Sequence, residues 1–186
     1  ILSTGWVKRE QEDIIKINSR LVQIITGIRR SGKSTLSHRL LSGTKYAYIN
    51  FDDERLTNID AQELNTILEA AYSVYGDFTH LLLDEIQNVD SWQLFVNRLL
   101  RNKIHVILTG SNSRLLNRES ASHLTGRYSI INLYTFSFTE FLTMKSINPV
   151  WDNTAREKGI LLKLFDEYLA IGGFPEIHVG EDQKTY

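Results

Sequence analysis

Residues 27–34 read Gly-Ile-Arg-Arg-Ser-Gly-Lys-Ser, a GxxxxGKS run set between an apolar stretch, Leu21-Val22-Gln23-Ile24-Ile25, and a segment able to continue as a helix, Thr35-Leu36-Ser37-His38-Arg39-Leu40. No other feature confines the fold so closely. In this spacing the glycines let the backbone curl until successive N–H groups and a helix N-terminus face one anion, a geometry that needs a strand before the loop and a helix after it. Lys33 can reach the terminal phosphates of a bound chain, and Ser34 offers a hydroxyl to Mg2+. The candidates for phosphate contact are Gly27, Arg29, Arg30, Ser31, Gly32, Lys33, Ser34 and Thr35. For Arg29 and Arg30 two other readings stay open: solvated loop charges, or partners of Asp52-Asp53-Glu54 at the same sheet edge.

A second apolar run, His80-Leu81-Leu82-Leu83, ends in Asp84-Glu85. Two acids at the tip of a buried strand lie where doubly wound sheets bind their ligands. Asp84 joins Ser34 as a candidate metal ligand. Glu85 is the candidate base, placed to orient or deprotonate a water beyond the last phosphate. Ile104-His105-Val106-Ile107-Leu108, Tyr46 to Phe51 and Tyr128 to Leu133 supply three more short apolar runs. Between them Leu64, Ile67, Leu68, Ala71 and Tyr75, then Trp92, Phe95, Val96, Leu99 and Leu100, repeat at helical spacing. Asp60 with Glu63, and Asp90-Ser91, mark the starts of these helices. Strands alternating with helices predict an α/β fold: a five-stranded parallel sheet sandwiched by helices.

Before the first strand, residues 7–18 predict a short leading helix. Phe136 to Met144 and Ala155 to Ile171 predict two late helices, the second closing at Gly172-Gly173 and Pro175. The break at Asn148-Pro149 divides a core, residues 1–148, from the start of a helical appendage, 149–186. Trp92, Trp151 and most tyrosines fall on apolar faces and read as core. The five histidines share no metal-ligand spacing, and His105 reads as a satisfied core residue.

Composition narrows the rest. A hydrophobic share of 42% with 23% charged residues excludes disorder. Lys and Arg number 21 against 22 Asp and Glu, so no global field pulls the chain to DNA or lipid. With no cysteine, disulfides and thiolate metal sites are excluded, which fits a cytoplasmic setting. No apolar run approaches the ~18 residues of a membrane helix, so no membrane partner is expected. The opening at Ile1 rather than Met reads as a piece of something longer.

In its motifs the chain resembles the AAA+ ATPases, specifically the prokaryotic group whose P-loop reads G-x-R-R-x-G-K-S/T. The resemblance rests on Gly27 to Ser34, Tyr48-Ile49-Asn50-Phe51-Asp52-Asp53, Leu83-Asp84-Glu85-Ile86-Gln87, Leu108-Thr109-Gly110-Ser111, Leu124-Thr125-Gly126-Arg127, and the run from Tyr168 through Ile171-Gly172-Gly173-Phe174-Pro175-Glu176. It implies a P-loop NTPase sheet in which the strand ending at Thr109 lies between the P-loop strand and the Asp84 strand, followed by a partial helical lid. It implies ATP and Mg2+ as cofactors, with Gly27 to Ser34 as Walker A and Asp84-Glu85 as Walker B. Ser111, with Asn112 as the neighbouring alternative, takes the place of sensor 1, although Gly-Ser-Asn-Ser is also ordinary turn chemistry. Arg127 matches the finger presented to a neighbour's nucleotide, which implies a homo-oligomer; a surface charge is its other reading.

The chain also departs from that pattern. No Arg follows Gly172-Gly173 in these residues, which reads either as a lid cut short or as a group that omits sensor 2. The winged-helix or nuclease-like region usual in the family, through which DNA becomes a partner, lies outside these residues. The expected function is Mg2+-dependent ATP hydrolysis coupled to conformational change; the rival is an ATP-held switch with negligible turnover. A GTPase reading wants an Asn-Lys-x-Asp run, and Asn102-Lys103-Ile104-His105 lacks the Asp. A small-molecule kinase has no need of Glu85 beside Asp84.

Overall fold

The structure is a computed structural model and describes residues 6–111, 115, 124, 126–147 and 154–178. The short apolar runs form β1 (Val22–Thr26), β2 (Tyr46–Asn50), β3 (His80–Asp84), β4 (His105–Gly110) and β5 (Tyr128–Asn132). All pair in parallel in the order β2-β3-β4-β1-β5. The α/β sheet expected from the alternation is present, with β4 between β1 and β3. β1 and β3 are buried along their whole length, so their sequences show no polar alternation.

Helices α1 (Lys33–Leu41), α2 (Leu64–Tyr75) and α3 (Trp92–Arg101) cover the sheet. Successive strand residues point to opposite faces, so β3 feeds two cores. Leu81 and Leu83 pack with Leu64, Phe95, Val96 and Leu99, whereas Leu82 packs with Leu36, Leu41, Ile25 and Ile107. Each such side chain contributes roughly 1.5–3 kcal/mol when fully buried.

Beyond β5 come α4 (Phe138–Met144), α5 (Ala155–Ile171) and the single turn α6 (Pro175–His178). Ser137 with Glu140 and Thr154 with Glu157 form reciprocal capping boxes that fix the starts of α4 and α5. Gly172 ends α5 at φ 83°. The chain then returns to the core: the Phe136 N–H donates to the Gly173 carbonyl at 2.7 Å, and the Tyr168 hydroxyl donates to the Phe136 carbonyl at 2.7 Å. A Cβ on Gly173 would overlap the Phe136 carbonyl oxygen, so that junction requires glycine. Among the described residues no helix is long and apolar enough to cross a membrane.

Several local expectations are corrected. The leading helix is only a three-ten turn, Glu12–Ile14, because Val7 and Ile15 turn inward while Ile14 faces solvent, which no single helical stripe satisfies. Asp60 and Glu63 do cap each other's N–H groups, but regular helix begins at Leu64. Ser91 makes no side-chain cap for α3; burial of Trp92 and Phe95 fixes that start. The described tyrosines are core only in part: Tyr46, Tyr48 and Tyr128 pack against the cores while half-buried, and none is fully buried. Tyr72, Tyr75 and Tyr134 are exposed, and Tyr48 and Tyr168 are half-buried with their hydroxyls on polar partners. Trp151 lies outside the described residues.

At the edge where strands begin, the His80 ring stacks on His105 at 4.9 Å, with Nε2 at 3.0 Å from Asn18 Oδ1 and Nδ1 at 2.8 Å from the Thr79 hydroxyl. Burial, and then the neighbouring His105, lower the His80 pKa below 6.5. A folded state that prefers the neutral ring is fully stabilised above pH 6.5 and loses that stability as pH falls below it through the depressed folded value. The urea midpoint is therefore expected to fall from pH 6.5 to 5, and His80→Gln should flatten that decline. An identical pH slope in the variant would rule the assignment out.

Candidate functional site

β1 ends at Thr26, and the loop of residues 27–32 carries the chain into α1 along the C-terminal edge of the sheet. A Cβ on Gly27 would overlap the Leu133 carbonyl at the exit of β5, and Gly32 sits at φ 91°, so both glycines are fixed by geometry. Arg30 is also left-handed, at φ 66°. The loop backbone is thereby held as an open curl at the N-terminus of α1.

The Lys33 side chain folds beneath this curl and donates to the Gly27 and Ile28 carbonyls at 3.2 and 2.9 Å. Burial lowers its pKa from the usual 10.5, with the Glu85 and Asp84 carboxylates opposing the shift. A depressed lysine costs stability while charged, and the cost vanishes only as pH rises through the folded pKa to above 10.5. Lys33→Met is therefore expected to melt at or above the parent temperature without nucleotide while losing the ATP-induced rise. Calorimetry with and without ATP checks both halves, and a lower ligand-free melting temperature would contradict the first.

Asp84 ends β3 and is 6% exposed. Ser34 Oγ donates to its Oδ2 at 2.6 Å, the Tyr48 hydroxyl approaches the same oxygen at 3.4 Å, and Thr109 Oγ1 donates to Oδ1. The hydroxyl and the carboxylate picked from two distant motifs thus meet across the edge of the sheet. A hard oxygen pair beside an amide-lined curl and a lysine fits a divalent cation carried with a phosphate chain.

Glu85 follows in a left-handed conformation, φ 53°, with its N–H on the Thr109 carbonyl at 3.0 Å. Its carboxylate accepts from the Gln87 side-chain amide. A side chain at position 110 would collide with Gln87 and Leu115, so Gly110 gives Gln87 its place. Ser111, half-buried, continues from the end of β4 between the strands bearing the loop and the acids. Asn112 lies outside the described residues. Thr35 occupies the first turn of α1.

The two loop arginines part company. Arg29 faces Asp52 at 3.9 Å, in line with one of its expected partners, whereas Arg30 turns away from the acidic cluster and pairs with Glu176 at 3.0 Å. Arg127 is exposed and donates to Asn97 Oδ1 at 3.2 Å. Its carbonyl accepts from the Val22 N–H, so it sits at the opposite edge of the sheet from the loop of its own chain.

Sequence reasoning overlooked Arg9. Its guanidinium is 3% exposed and donates to Glu140 Oε1 at 2.9 Å, to the Ser31 carbonyl at 2.9 Å and to the Tyr134 carbonyl at 2.7 Å, with its carbon 4.9 Å above the Phe136 ring. It fastens the loop of residues 27–32 to the start of α4. Thr109, Gln87 and Glu176 were also assigned no role, and Tyr48 only a packing one, although all stand inside the runs that carried the resemblance.

The fold and the curled loop define a P-loop α/β nucleotide-binding protein. A family model described as an AAA domain matches residues 19–142, and the chain belongs to that family of ATPase domains. An uncharacterized protein of Methanocaldococcus jannaschii is 38% identical over 173 residues, covering 91% of this chain and 39% of the relative. An uncharacterized protein of Haemophilus influenzae is 31% identical over 194 residues, covering 97% and 47%. The chain thus spans less than half the length of these two relatives. Among solved structures, a Walker-type ATPase of Pyrococcus abyssi matches with TM-score 0.53 at 16% identity, covering 91% of this chain and 65% of that one. A signal transduction ATPase with numerous domains, carrying a tetratricopeptide repeat sensor, from Pyrococcus horikoshii matches with TM-score 0.50 at 16% identity, covering 96% and 31%. At that identity the two structures attest the fold.

Proposed function

We propose that the chain is the Mg2+-dependent ATPase core of a longer protein. The observation that supports this most is the 2.6 Å contact between Ser34 and Asp84, which joins the two motifs at one point beside the Lys33 amine. In this reading the amides of residues 27–34 and Lys33 bind the β- and γ-phosphates. Ser34 and Asp84 hold Mg2+, which when bound neutralises charge on those phosphates. Glu85 takes a proton from a water that attacks the γ-phosphorus, the bond to the bridging oxygen breaks, and ADP and phosphate leave. Ser111 orients that water. ATP is favoured over GTP because the guanine-reading run lacks its Asp.

Residues 149–186 act as the beginning of a lid, and the ion pair from Arg30 to Glu176 joins the loop of residues 27–32 to it. Arg127 serves a second copy, since its own loop lies at the other edge of the sheet. A cytoplasmic setting fits the cysteine-free sequence.

The test is phosphate release from MgATP across a range of protein concentrations, with EDTA as control. Turnover that needs Mg2+ and rises per molecule with concentration is the expected result. Stoichiometric ATP binding with negligible turnover at every concentration would replace this reading with the nucleotide-held switch.

A further inference from the structure

The segments that lead into the strands gather at the edge opposite the phosphate-facing loop. Backbone hydrogen bonds tie them together: Thr79 N–H to the Lys45 carbonyl at 2.9 Å, His105 N–H to the Thr79 carbonyl at 3.0 Å, and Val22 N–H to the Arg127 carbonyl at 2.9 Å. His105 Nδ1 adds a contact of 2.9 Å to the Ser19 carbonyl. This edge exposes Arg20, Lys45, Arg101, Lys103 and Arg127, against which the described residues of these segments offer one acid, Asp77. None of the five cations forms an ion pair with a described residue; Arg127 meets only the neutral amide of Asn97.

At the other edge three ion pairs tie cations to acids of the chain. Asp52 faces Arg29, Asp53 holds Arg55 and Glu176 holds Arg30. Asp60 and Glu63 accept each other's backbone N–H groups and, like Glu54 and Asp90, are exposed without an ion pair to a described residue, so that edge is the acidic one. A chain of net charge −1 thus carries a row of five cations on this edge that are unpaired among the described residues, apart from the likewise unpaired Arg156, Lys158 and Lys163 of α5. A phosphate backbone presents regularly spaced charges to such a row, and the four cations other than Arg127, which in the reading above faces a neighbour's nucleotide, are enough to meet it.

The strand order sets the cations in a row. Lys45 stands before β2, Arg101 and Lys103 before β4, Arg20 before β1 and Arg127 before β5. At about 4.8 Å between neighbouring strands the row is roughly 19 Å long. That is about the axial rise of six nucleotides along one DNA strand. We infer that this edge binds the phosphate backbone of nucleic acid without reading its sequence, so that the ATPase core itself carries a nucleic-acid surface on the side away from the nucleotide. The inference does not depend on hydrolysis.

The test is fluorescence anisotropy of the chain with a labelled 30-mer, duplex and single-stranded, titrated with NaCl. Binding is expected in low salt, with log affinity falling against log salt at a slope of about −4 for the duplex. Lys103→Gln should reduce that slope by about 1. The combined reversal Arg20→Glu, Lys45→Glu and Lys103→Glu should weaken binding by at least about tenfold, while Lys158→Glu with Lys163→Glu on α5 should leave it unchanged. An unaltered melting temperature and ATP-induced shift in the reversed variant establish that it is folded. Absence of salt-sensitive binding to either strand form, or binding that survives the reversal, would overturn the proposal. So would a reversal that alters only sedimentation, which would make this edge an interface between copies.

Discussion

Replacing Glu85 with Gln is expected to lower phosphate release by about 10²- to 10⁴-fold, the range that general-base catalysis supplies, while ATP binding persists. The variant is informative because it perturbs little else. The amide has the shape of the carboxylate, its oxygen can still accept from the Gln87 side chain, and the backbone bond from residue 85 to Thr109 does not involve the side chain. What disappears is the ability to take a proton from water. Binding is read from the ATP-induced rise in melting temperature, and turnover from released phosphate. Full-rate hydrolysis by the variant would remove Glu85 from the mechanism and leave Asp84 and the loop to be reconsidered.

The second large effect concerns stability. Arg9→Met leaves Glu140 buried at 3% exposure without its counter-charge, and breaking such a pair costs about 3–5 kcal/mol. For a chain of this length each kcal/mol moves the melting temperature by about 2–4 °C, so a drop of about 6–20 °C is expected. The double variant Arg9→Met, Glu140→Gln should recover much of that loss, because no unpaired charge remains. It should not recover ATP affinity. Arg9 also holds the Ser31 carbonyl at 2.9 Å, and without that anchor the curl of amides is less fixed when the phosphates arrive. If the double variant binds ATP as tightly as the parent, Arg9 serves the fold and not the loop.

How far the sequence revealed this arrangement depended on whether a signal was local. The strands were legible because burial on both faces forces unbroken apolar runs, as in Leu81-Leu82-Leu83. The loop and the two acids were legible because phosphate and metal chemistry constrain residue type and spacing together. The leading segment was misread because Ile14 and Ile15 share a helical pattern on paper while only Ile15 turns inward. Arg9 was invisible for a different reason. Its partner Glu140 lies 131 residues away, and neither a buried guanidinium nor its acceptor leaves any periodic trace. Tyr48 was read as an apolar-face residue; only the register Tyr48↔Leu82 shows that its hydroxyl comes within reach of Asp84.

The clasp on the loop also bears on synthesis. Arg9 and Arg30 emerge from the ribosome before their partners Glu140 and Glu176, which follow 131 and 146 residues later. The curl of residues 27–32 is thus translated long before the groups that brace it, so nascent chains shorter than Glu140 carry the motif without its support. The loop is accordingly expected to gain its full support only once the chain has been made through Glu176.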